Sequence, residues 1–357
     1  MKHFLIYFLV FVVFFSCSTL GLSHKESETN SLSGIDTIDT LLTDKISIRA
    51  ITLANNKVWY TADQSRFGCV DLVSLEKKEI EIGSDKKTEF RSIAQTKNFI
   101  FVLSVANPAL LFRISKEDLS YELVYQERHE KVFYDSMQFW NDKEGIAIGD
   151  PIGSSFSMIV TKDSGKTWQK IAEGLLPKLE EGEAFFAASN TTITAKKAKT
   201  WVVSGGKQSR VFFSNTKGKK WEVFTTPIVQ GKSMTGIFTA DFYDHKIGFI
   251  SGGNYENLEQ NYDNKALTLD GGKTWNLVAQ NLGFGYASCV QFIPKSKGNG
   301  LLSVGASGIF YSGDRGNTWK QFSLDKSLYT IRMVNDSIAI AAGKNKIVVI
   351  HFKKNQI

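Results

Sequence analysis

The chain has 357 residues, 42% apolar and 22% charged, with only 5 prolines, which supplies a full core and excludes a disordered tail or a collagen-like fibre. Three cysteines, at 17, 69 and 289, exclude a disulfide-stapled scaffold, and no Cys-x-x-Cys pair or histidine-rich tract exists to hold a metal. A formal charge of +7, from 43 Lys+Arg against 36 Asp+Glu, is basic without being a nucleic-acid footprint.

Residues 1–16 read as a signal peptide: Met1-Lys2-His3 precedes twelve apolar residues, Phe4 to Phe15, too few to span a bilayer permanently. Ser16-Cys17 at the end of that run resembles a bacterial lipobox, although Phe14 departs from its usual leucine. The resemblance implies that Cys17 carries lipid and tethers an exported chain to the cell envelope, facing the periplasm; without acylation the chain would be secreted. Residues 17–33 are polar and Ser-rich and are expected to form a flexible tether, followed by one domain over 34–357.

In that domain an eight-residue phrase recurs: Thr161 to Trp168, Thr268 to Trp275 and Ser312 to Trp319, with a degenerate copy, Ser214 to Trp221, that has lost its aspartate. The tryptophans at 168, 221, 275 and 319 are 53, 54 and 44 residues apart, the length of a four-stranded propeller blade with loop insertions. Glycine supplies positive φ at a hairpin turn, while aspartate and the Ser/Thr hydroxyls bond the turn's own amides. The phrase resembles the Asp-box, or BNR repeat, of sialidases and other propellers. Asp163, Gly165, Trp168, Gly218, Trp221, Asp270, Gly272, Trp275, Asp314, Gly316 and Trp319 are therefore structural residues on outer hairpins.

A second phrase, a β-rich run ending in a small residue, recurs as Val58–Ala62, Phe99–Ser104, Gly145–Gly149, Trp201–Gly205, Gly248–Gly252, Leu301–Gly305 and Ile338–Gly343. The expected fold is an all-β, seven-bladed propeller of four-stranded blades starting near Ile46, Glu89, Phe133, Ala184, Gly236, Tyr286 and Tyr329. Ile35–Leu42 would supply the outer strand of the last blade and close the ring. Cys69 and Cys289 then fall in non-neighbouring blades and should be free thiols.

Phrases such as Phe90-Arg91-Ser92-Ile93, Gly145 to Pro151 and Gly182 to Ser189 resemble, in order, bacterial propellers related to the photosystem II stability/assembly factor, over roughly residues 44–357. The resemblance implies a non-catalytic, protein-binding, WD40-like propeller, monomeric, acting on a protein segment of a membrane or envelope complex. No Gly-x-Gly-x-x-Gly follows a strand and no haem or flavin motif is present, so no cofactor is expected.

The first strand of each blade lines a propeller's channel, so the candidates at its mouth are Arg49, Arg91, Asp135, Glu183, Tyr286 and Arg332, with Asp150, Arg210, Asn254 and Tyr255 on loops around it. Converging arginines would read a carboxylate or phosphate; the bland alternative is mutual pairing with Asp135 and Glu183 in a wet channel. A sialidase-like hydrolase would use Arg49, Arg91 and Arg332 on a sugar carboxylate, with Tyr286 and Glu183 as nucleophile and base and Asp135 as acid. The Arg-Ile-Pro phrase of sialidases is absent. Glycan binding without turnover would use Tyr134, Phe185 and Tyr286 as stacking faces.

Overall fold

A computed structural model describes residues 31–83 and 87–355. The signal segment 1–16, Cys17 and residues 18–30 of the tether lie outside the described residues.

The described residues form antiparallel strands with a single 3-10 turn at Glu173–Leu175. The second strand of each unit is buried on both faces, as in Gly145–Gly149, Gly248–Asn254 and Leu301–Gly305, because each sheet is sandwiched between two others. That double burial is why those stretches read as continuous apolar runs and do not alternate. Outer strands such as Lys77–Glu81 and Gln169–Lys170 face solvent and are charged or polar. Aromatic side chains fill the wedges between sheets: Phe101 packs against Phe139 and Trp168, and Trp201 stacks on Phe242 at 3.9 Å. Each such side chain contributes roughly 1.5–3 kcal/mol by leaving water.

The strands hydrogen-bond into six sheets among the described residues, four of four strands and two of six, so the expectation of seven separate four-stranded blades is corrected. The physical reason is continuity of the chain through the expected boundaries. Leu32–Ala54 is one 23-residue strand and Ile338–Lys354 one of 17, and the two pair from Leu32 opposite Lys354 to Ser47 opposite Lys344. The segments assigned to a first and a last blade thereby share one six-stranded sheet. Leu32 and Ser33, assigned to the tether, already belong to it. Cys69 and Cys289 are both buried and free.

The three full boxes are alike. In the first, the Thr161 hydroxyl donates to Asp163 at 2.8 Å and accepts from the Gly165 amide at 3.0 Å, while Asp163 also accepts from the Thr167 amide and hydroxyl. The sets Thr268/Asp270/Gly272/Thr274 and Ser312/Asp314/Gly316/Thr318 repeat this. Gly165 holds φ +75° and an added Cβ would lie 2.1 Å from the Phe101 ring, so both conformation and space demand glycine.

Candidate functional site at the channel mouth

One local device, repeated around the ring, places side chains at the mouth or directly beside it. In the strand that begins the first unit, Ile48 opposes Ala62 and Ala50 opposes Thr61, so the pairing skips Arg49. It likewise skips Arg91 between Phe90 and Ser92, Asp135 between Tyr134 and Ser136, Phe238 between Ile237 and Thr239, and Tyr329 between Leu328 and Thr330. A bulge of this kind turns the extra residue out of the ladder. It also explains the small residue that ends each second strand. At Gly149, Gly252 and Gly343 an added Cβ would lie 2.1, 1.9 and 1.9 Å from the carbonyl oxygens of Phe133, Gly236 and Ser327, at or just before the start of the first strand.

Of the ten expected mouth residues, Arg49, Arg91, Asp150, Tyr255 and Tyr286 line one cavity of about 390 Å³, together with Phe133, Phe186, Met234 and Phe238. Arg49 is half-buried; its guanidinium lies 4.4 Å over the Tyr329 ring and its Nε has no hydrogen-bond partner. Arg91 is held in a two-pronged pair by Glu89, at 2.8 and 3.0 Å. Tyr286 is buried, which pushes its hydroxyl up to about 12 against the opposing pull of Ser288, Arg49 and Arg91.

Asp135 lies beneath the cavity, fully buried, with neither carboxylate oxygen hydrogen-bonded. Burial, and then the neighbouring Asp150, push it well above the usual carboxylate range, with Arg91 opposing. Asp150 accepts from the Phe185 amide at 2.8 Å; burial still raises it to about 6. Burial thus pushes both carboxyls upward, and together they make an acidic floor under the arginines.

The other expected residues are drawn elsewhere. Glu183 and Arg210 pair with each other, and Glu183 also accepts from the Ser204 hydroxyl at 2.5 Å, so this ion pair pins Glu183–Ala184 against Arg210–Ser214. Asn254 is buried and bonded to the Gln260 side chain and the Glu256 amide within its own loop. Arg332 lines a separate polar cavity of about 170 Å³ with Thr52, Gln95 and Gln138, at the opposite end of the same inner strands. It donates to the carbonyls of Ser189 and Ile331. The six residues of the hydrolase reading are therefore not gathered in one cavity. Of the expected stacking faces, Phe185 and Tyr286 line the mouth cavity, although both are largely buried, whereas Tyr134 is fully buried with its hydroxyl donating to Glu127.

Two features escaped sequence reasoning. Phe186 stacks on Phe238 at 3.8 Å and 7°, with Tyr255 beyond and Tyr286 edge-on at 4.8 Å from Phe238, an aromatic wall facing the arginines. The signals were present in the Phe185-Phe186 doublet and in Gly236-Ile237-Phe238, but only the skipped register shows that position 238 points inward. Second, Ser189-Asn190-Thr191 crosses the channel. Asn190 bonds the Ile93 carbonyl and the Met137 amide, Thr191 bonds Thr239, and Ser189 bonds the Ser288 carbonyl. This crossing separates the mouth from the cavity that holds Arg332. Among the described residues no cluster of three or more His, Cys, Asp or Glu is placed to hold a metal.

No family model and no curated protein matches the chain. Solved structures do. A structure described as YCF48 bound to D1 peptide superimposes with a TM-score of 0.62 at 14% identity, covering 90% of this chain and 97% of that one. YCF48 from Cyanidioschyzon merolae gives 0.65 at 10% identity, covering 88% and 99%, and U3-55K gives 0.64 at 10%, covering 89% and 100%. The chain is a β-propeller. At these identities the likeness shows the fold alone.

Proposed function

We propose that the chain is a non-catalytic propeller that captures a protein segment at the channel mouth, as a scaffold or assembly factor for a membrane or envelope complex. The observation that carries this is the single cavity in which Arg49 and Arg91 face the wall of Phe186, Phe238 and Tyr255. Arginines read carboxylates, and cavity-lining aromatic rings supply rigid contact area at low entropic cost. The crossing at Ser189–Thr191 closes the floor, so an occupant enters and leaves from one face. A structural neighbour described as bound to a peptide supports the choice of ligand class. The apolar N-terminal run ending at Cys17 supports export and a lipid anchor, which would hold the mouth near a membrane. The Asp-box phrases and the ordered sequence phrases support kinship with the bacterial assembly-factor propellers.

The test is a crosslinking pull-down from native membranes with tagged wild type and an Arg49→Glu/Arg91→Glu double variant. A specific envelope complex held by wild type and lost in the variant is expected. If both retain the same proteins, or nothing, the reading fails, and a glycan array and a fluorogenic sialoside assay take its place.

A further inference from the structure

The degenerate box differs from its three siblings in charge as well as in sequence. Where they carry Asp163, Asp270 and Asp314, this hairpin has Thr216, and its eight residues hold Lys217, Lys219 and Lys220 with no acid. It opens onto a third cavity, of about 240 Å³, on the outer side of the propeller and away from the mouth. The floor is apolar: Trp140, Met158, Val160 and Ile171, with Leu175 from the 3-10 turn standing 72% exposed at its edge. The rim carries Lys162, Lys217 and Lys219 against one acid, Glu144, which Lys217 already engages. Lys162 and Lys219 are exposed.

We propose that this cleft is a docking site for an acidic protein segment that inserts a large apolar side chain. The floor offers an apolar occupant burial that solvent does not. The excess of lysine over acid on the rim selects against a basic or neutral flank and favours Asp or Glu on either side of the anchor. A carboxylate at 216, as the other boxes carry, would sit on the hairpin beside these lysines and weaken that field. The site is independent of the mouth, since the two cavities share no lining residue.

The experiment is selection of a random twelve-residue display library on the Arg49→Glu/Arg91→Glu protein, which removes the arginines of the mouth. Enrichment of sequences with Leu, Phe or Met flanked by Asp or Glu is expected. Synthetic copies should bind with micromolar Kd and lose at least about tenfold on Lys162→Glu/Lys219→Glu and on Leu175→Asp. These substitutions are at exposed positions, and an unchanged thermal transition in each verifies the fold. No enrichment, peptides lacking either the acids or the apolar anchor, or binding indifferent to both variants would overturn the proposal. So would binding of phosphatidylglycerol vesicles through the same lysines without peptide binding, which would make the cleft a lipid contact.

Discussion

The guanidinium of Arg49 lies 4.4 Å over the ring of Tyr329. One residue comes from the first inner strand and the other from the last, and each is the position its strand pairing skips. Ring closure and the posture of a mouth arginine are thus set by the same contact, because only a closed ring brings the two strands side by side.

Tyr329→Ala should weaken binding of the captured segment about two- to fivefold, the range of a partly exposed cation–π contact. Tyr329→Phe keeps the ring face and should bind as wild type. Fluorescence anisotropy with the labelled segment reads both. Equal loss in the two variants would assign the effect to the hydroxyl and refute the stacking argument.

Removal of residues 18–42 should lower the unfolding temperature by more than about 10 °C. Much of the antiparallel pairing with Ile338–Lys354 goes with that segment, as does the Leu32 amide bond to the Tyr311 hydroxyl at 3.0 Å. Val348, Ile350 and Phe352, now buried, would border an open edge. Calorimetry decides, and an unchanged transition would show that the pairing contributes nothing to closure.

How far the sequence could be read follows from what each residue answers to. The boxes are local, every bond closing within eight residues, so spacing alone placed them. Arg49 and Arg91 could be assigned to the mouth because blade order fixes which strand is innermost, and Asp150 and Tyr255 because the loops after second strands open at the same end. Arg332 could not: it stands three residues beyond Tyr329 on a strand that runs along the channel, and that distance carries it to the far cavity. Glu183 was claimed by Arg210, a pairing between two sheets that no motif marks. The merging of the first and last units into one sheet depends on two strands staying continuous, which alternation in the sequence does not report.

The acidic floor predicts a pH signature. Asp150 is raised to about 6, so its ionisation is disfavoured in the fold. The stability tied to its neutral form is fully present below its unfolded value of about 3.9 and is lost as pH rises through about 6. Urea titrations at pH 4.5, 6 and 7.5 should therefore show a smaller decline between the first and last values in Asp150→Asn than in wild type. Parallel slopes would mean that Asp150 titrates normally.

The degenerate box predicts a gain. Thr216 accepts from the Lys220 amide at 2.9 Å and lies 3.2 Å from the Ser214 hydroxyl, whereas a carboxylate there would take both as charge-assisted bonds. Thr216→Asp should stabilise the protein by about 1 kcal/mol in urea unfolding at pH 7. The intact boxes set the expected pH behaviour. Burial raises Asp270, but the hydroxyl and amide of Thr274, the Thr268 hydroxyl and the Lys273 amide outweigh it and hold the carboxyl at about 2. A carboxyl depressed in the fold contributes stability above its unfolded value, lost as pH falls toward its folded one. The advantage of Thr216→Asp should accordingly vanish between about pH 4 and pH 2. An advantage that persisted at pH 2 would show that it came from β-turn propensity and not from the ionised carboxylate.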